Sequence, residues 1–145
     1  MGSVAEPVDT IDERLKALFA GVQVAGGAYF QHVDDWEPQI NEIPAALFMF
    51  SGGTQGVVEI GGTTDNRWPW EIEIVVAGLA EGSKRGIRRF RDGWPALLDA
   101  FRADDTLGGA CDWYTLEVVE TPLQVDYDRQ AIYKPLRIVA VTHED

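Results

Sequence analysis

Gly93–Ala110, GWPALLDAFRADDTLGGA, is the stretch that decides how this chain is read. Trp94, Leu97, Leu98 and Phe101 recur at i, i+3, i+4 and i+7, which is one apolar face of an α-helix. The spacing predicts a helix over about 92–103. It runs out into a polar Asp104-Asp105-Thr106 stop, and Leu107-Gly108-Gly109 then turns the chain into a strand. Glycine suits such an exit because it takes up positive φ without strain.

Upstream lies the sharpest charge anomaly. Lys84, Arg85, Arg88, Arg89 and Arg91 place five of the twelve basic residues within eight positions of a chain whose net charge is −12. Such a concentration is a local field feature. Its functional reading is a surface that meets an acidic partner or a phosphate backbone, and its bland reading is a solvated loop beside Gly82-Ser83. Ile87 and Phe90 continue the helical apolar spacing into Trp94, which allows a helix bent at Pro95. If Pro95 instead occupies the first turn, Asp92 or Gly93 is the cap and the basic run is loop.

Working outward, the N-terminal segment predicts a second helix over about 10–21. Thr10 and Glu13 have capping-box spacing, and Ile11, Leu15, Leu18, Phe19 and Val22 follow at helical intervals. Gly21 and Gly26-Gly27 close it before a strand candidate at 28–33. Short apolar runs at 45–50 and 57–60 flank a Gly-rich hairpin signal at 51–56. Trp70, Ile72 and Ile74 alternate with Glu71 and Glu73, as in a strand with one solvated face, after a polar turn at 61–66. Strands are also expected at 113–120, 123–127 and 132–142, with Pro122 and Pro135 biasing their surroundings toward edges or bends. Neither a fixed-period repeat nor a low-complexity tract is present. The element order predicts one α+β domain over 1–145: a single mixed, mostly antiparallel sheet flanked by two helices.

Composition narrows the function. With 145 residues, 46% of them apolar, the chain is long enough for a genuine core. Its acidity disfavours generic binding to nucleic acid or to anionic membranes. One cysteine, Cys111, allows neither an intrachain disulfide nor a CxxC metal knuckle, and reads as a small buried or half-buried hydrophobe suited to a reducing cytoplasm. Glu6, Asp9, Asp12 and Glu13 interrupt any secretory signal, and Glu6 replaces the Ser or Thr that the Met1-Gly2-Ser3 myristoylation pattern needs. The longest apolar run, 43–50, is too short to span a bilayer.

Catalytic chemistry finds little to stand on. His32 and His143 are far apart, and no Ser-His-Asp or Cys-His set assembles around them. The pairs Asp34-Asp35, Asp104-Asp105 and Glu144-Asp145 fall in expected turns or at the end of the sequence, where solvated carboxylates are the default rather than Mg²⁺ ligands. Four Gly-Gly dipeptides fit neither GxxxxGK[ST] nor a helix-opening GxGxxG, so turn chemistry accounts for them. Trp36, Trp68, Trp70, Trp94 and Trp113 read as core or subunit interface. A stacking platform for single strands lacks basic companions around Trp68 and Trp70. The expectation is a non-enzyme with no cofactor and no metal.

The capped first helix, Ile43-Pro44-Ala45-Ala46-Leu47-Phe48 leading into the strands, the 70–76 strand, the second helix with its Thr106-Leu107-Gly108-Gly109 loop, and a closing strand at 136–142 come in a distinctive order. In that order the chain resembles the tail-terminator (tail-completion) proteins of long-tailed bacteriophages, with the loop as the best single marker. The resemblance implies a mixed sheet flanked by helices. It further implies a homo-oligomeric ring, commonly a hexamer, that caps the tail tube, ends its elongation and presents a surface to the head-side connector or stopper protein. It implies a place at the head-proximal end of the virion tail, after assembly in the host cytoplasm, with no catalytic residues. DNA would pass through the lumen without specific binding, and an acidic lumen would suit that passage. In such a ring, Lys84–Arg91 would dock on an acidic face of the tube protein, the connector or the neighbouring subunit. Alternatives are another neck component such as a stopper or minor tail protein, a small ligand- or peptide-binding module, and last a metal-dependent hydrolase.

Overall fold

The computed structural model describes residues 5–52, 54–58, 64–118 and 123–144. It contains two long helices, α1 (Ala5–Ala20) and α2 (Ser83–Ala103), and nine strands. The strands are β1 (Gln23–Val24), β2 (Gly27–Ala28), β3 (His32–Asp35), β4 (Ala45–Phe50), β5 (Thr54–Val58), β6 (Thr64–Gly78), β7 (Trp113–Val118), β8 (Gln124–Asp126) and β9 (Ala131–Glu144). β1 and β2 form a small antiparallel ribbon of their own. The other seven form one sheet in the order β3-β4-β6-β9-β7, with β5 also on β6 and β8 also on β9. Among the described residues only the β3–β4 pair is parallel. The expected mixed, mostly antiparallel α+β sheet is therefore what the chain forms.

Two long strands are its spine. β6 and β9 pair from Thr64↔Glu144 to Gly78↔Ala131, with a bulge between Val75 and Ala77. Alternation on β6 sends Trp70, Ile72 and Ile74 into the main core, joined by Ala46 and Phe48 from β4 and Leu136, Ile138 and Ala140 from β9. Ile11, Leu15 and Phe19 of α1 and Leu97 and Phe101 of α2 pack into the same core, so both helices share one side of the sheet. Phe19 stands edge-on to Phe48 and Phe101, with ring centroids 5.0 and 5.6 Å away. A smaller cluster of Ala45, Leu47, Val75 and Ala131 packs with Ile40, Ile43 and Tyr133.

Both helices begin earlier than their spacing signals. Among the described residues α1 runs from Ala5, so Thr10 is a mid-helix residue and not a cap. Val8 extends the apolar series and packs on the core. α2 starts at Ser83, so the basic run is helical and Pro95 is interior. Pro95 is exposed, which leaves the carbonyl it cannot pair facing water. Burial of Gly86, Gly93, Leu97 and Phe101 along the opposite side holds the helix through that break.

Several strand bounds also move. The 28–33 candidate divides between β2 and β3, and Asp34-Asp35 lies in β3 rather than in a turn. Residues 64–66 of the expected polar turn open β6, and 54–56 of the expected hairpin loop belong to β5. The expected stretches at 59–60, 61–63 and 119–120, with Pro122 and Asp145, fall outside the described residues.

One buried cation fastens the turn between β8 and β9. The Arg129 side chain is 7% exposed; its Nε donates to Asp126 Oδ2 at 2.6 Å and its Nη2 to Glu73 Oε2 at 2.6 Å. Its guanidinium lies 5.1 Å from the Trp36 ring centroid and 5.7 Å from that of Tyr133. The Trp36 indole N–H donates to the same Glu73 carboxylate at 2.5 Å, which brings the segment after β3 onto the sheet.

Candidate functional site

The five expected basic residues do not behave alike. Lys84, Arg85, Arg88 and Arg91 are exposed on α2, whereas Arg89 is half-buried. Arg89 donates through Nη1 to Glu81 Oε1 and through Nη2 to Glu81 Oε2, both at 2.8 Å, and Nη1 also reaches the Val76 carbonyl at 3.1 Å. It is a strut between α2 and β6. Arg85 joins the same carboxylate at 3.4 Å. Bonding to Arg89 and to the Gly78 N–H holds the Glu81 carboxyl below the usual range. Lys84, Arg88 and Arg91 pair with no carboxylate among the described residues.

These three free cations share one side. At about 100° per residue, Lys84, Arg88 and Arg91 fall within roughly 60° of one another around the helix. Ile87, 51% exposed, flanks them, contrary to the expectation that it continues the buried face. Glu81, Lys84, Arg85, Arg88, Arg89 and Asp92 line an open groove of about 570 Å³. No acidic residue occupies the first turn of α2, so Lys84 and Arg85 stand where the helix macrodipole disfavours cations. The local sequence thus gives up some helix stability in order to concentrate positive charge.

What holds this surface rigid was not visible as a motif. The Tyr29 ring fills the space beside Gly93, where an added Cβ would stand 2.3 Å from the ring, and its hydroxyl donates to the Arg89 carbonyl. Burial first, then the nearby Asp92 carboxylate, pushes the Tyr29 phenol up to about 12. Gly86 lets α2 approach Val76 and Leu123, which lie 3.2 and 3.3 Å from the position of an added Cβ. The signal was a pair of glycines seven residues apart in an otherwise helical pattern, which marks close approach once the helix is seen to begin early.

The expected loop marker, Thr106-Leu107-Gly108-Gly109, sits at the other end of α2. Leu107, Gly108 and Gly109 all have positive φ, at 53°, 68° and 89°. Leu107 accepts this backbone because its side chain is fully buried. The Gly108 N–H donates to Asp104 Oδ1 at 2.8 Å, and the N–H groups of Gly109 and Cys111 return to the Thr106 carbonyl at 3.1 Å each. Tyr114 donates to the carbonyls of Phe101 and Asp104 at 2.8 Å each, tying β7 to the last turn of α2. Cys111 is buried beneath this loop. Burial first, then Asp112, Asp104 and Asp105, pushes its thiol up to about 11. The fold therefore places the basic run and the loop at opposite ends of one helix and does not merge them into a single site.

Other candidates resolve into packing. His32 meets Glu37 at 2.6 Å and His143 meets Asp65, two separate surface pairs. Trp68 and Trp70 are buried, Trp94 is half-buried, and Trp36 and Trp113 are 39% and 40% exposed. Among the described residues, no group of three or more His, Cys, Asp or Glu is arranged to hold a metal ion, and no helix is long and apolar enough to cross a membrane. The chain matches no protein-family model and no curated protein.

Proposed function

We propose that this chain is a structural assembly protein of a phage tail: a tail terminator that forms a ring, caps the tube and presents a surface to the head-side connector. The observation that carries the reading is the exposed basic side of α2. It is built on a rigid helix, anchored by Arg89, Gly86 and Gly93, in a chain whose net charge is otherwise strongly negative. A surface held that firmly, with three unpaired cations beside an exposed Ile87, suits a protein partner better than a solvated loop does. The α+β architecture and the strained 106–109 loop agree with the resemblance in element order. An acidic remainder suits a ring through which DNA passes without sticking.

Negative-stain imaging of the purified chain, alone and added to polymerised tail tubes, tests this reading. Closed rings, and tube ends that stop growing once rings are added, are the expected result. A chain that neither forms rings nor alters tube ends would overturn it.

A further inference from the structure

The two ends of α2 carry opposite charge. Around its first half, Lys84, Arg85, Arg88, Arg89 and Arg91 stand against Glu81 and Asp92, which leaves +3. Around its C-terminal end, Asp99, Asp104, Asp105 and Asp112 stand against Arg102 and against Arg14 of α1, whose guanidinium lies beside Gly108, which leaves −2. Asp99, Asp105 and Asp112 are exposed, and Asp104, Asp105 and Asp112 flank the turn at 106–111, where Asp104 accepts from the Gly108 N–H. Along the 21-residue helix the centres of these two faces lie roughly 20 Å apart.

We propose that the basic half of α2 in one copy seats on the acidic end of α2 in the next copy, and that this head-to-tail contact closes the ring. The inference rests on the ring reading and deepens it by naming the two faces that meet. Charge complementarity selects the occupant. A chain of net charge −12 repels its own copies, and the first half of α2 is where another acidic copy is instead attracted. Basic end on basic end would set +3 against +3, so the contact joins two different patches, and such heterologous contacts generate rings when the rotation closes. The open groove beside Lys84 and Arg88 gives incoming carboxylates room, and Ile87 adds exposed apolar area on the other side of Lys84 and Arg88.

The test is a charge swap read by native mass, with circular dichroism confirming the fold of each variant. One variant carries Arg88→Glu and Arg91→Glu; a second carries Asp99→Arg and Asp105→Arg; a third carries all four changes. None of these four side chains holds an ion pair among the described residues. Each two-residue reversal should weaken association at least about tenfold, because it sets like charges against each other. The four-residue variant should regain assembly, and so should an equimolar mixture of the two opposite variants. If either reversal leaves the ring intact, the ring reading stands and the two faces are wrong. Loss of assembly without recovery in the four-residue variant also overturns the pairing, since the basic face then serves another partner. A wild-type chain that stays single, or stops at two copies, overturns this contact, and the ring reading falls with it if tube ends are also unaltered.

Discussion

Gly93 is where a single missing side chain decides how α2 sits. Alanine is the better helix former by about 1 kcal/mol, yet its Cβ would stand 2.3 Å from the Tyr29 ring. Gly93→Ala should therefore destabilise the chain by about 1–3 kcal/mol in urea unfolding, as overpacking displaces the ring and breaks its bond to the Arg89 carbonyl. An unchanged or raised midpoint would contradict this. Arg129 makes the opposite point, a polar group whose removal strands its partner. Arg129→Ala leaves Glu73, 16% exposed, without its cation, and a loss of about 3 kcal/mol is expected in the same measurement. A loss under about 1 kcal/mol would mean that the Trp36–Glu73 bond and the β8–β9 pairing hold the turn unaided. The structure also changes which arginines are useful probes: Arg89 is a strut, so reversing it would disturb packing, whereas Arg88 and Arg91 report on docking alone.

Two phenols fasten α2 to its surroundings, one near each end, and both must keep their protons. Tyr29 and Tyr114 donate to carbonyls of α2 and its C-cap, and each is pushed from 10.0 up to about 12, chiefly by burial. Their folded-state pKa is raised, so their contribution is complete below about pH 10 and is lost as pH climbs through about 12. Urea midpoints should accordingly fall between about pH 10 and 12, and less steeply in a Tyr29→Phe, Tyr114→Phe variant. Equal slopes in the two proteins would rule out this linkage. At this scale the sequence was legible where burial enforces a period. The alternation of Trp70, Ile72 and Ile74 with Glu71 and Glu73, and the Leu97–Phe101 face, needed only elementary geometry. The early start of each helix was hidden because its evidence is tertiary. Gly86 reads as a helix breaker until Val76 is seen against it, and Arg129 reads as a solvated turn residue until Glu73 arrives from 56 positions away.

For the whole molecule, the sheet with both helices on one side is a scaffold that carries a basic surface and an acidic one at the two ends of α2. The basic run was visible as composition, but its division into the Arg89 strut and the free Lys84, Arg88 and Arg91 required the helix. The ring is a property that no single copy displays, and it carries the central claim. Native mass across a wide range of concentrations, followed by imaging of the largest species, tests that claim most directly. The account predicts a closed ring of roughly six 16.0-kDa chains, which raised salt takes apart because the contact is electrostatic. A single 16.0-kDa species at every concentration would contradict it.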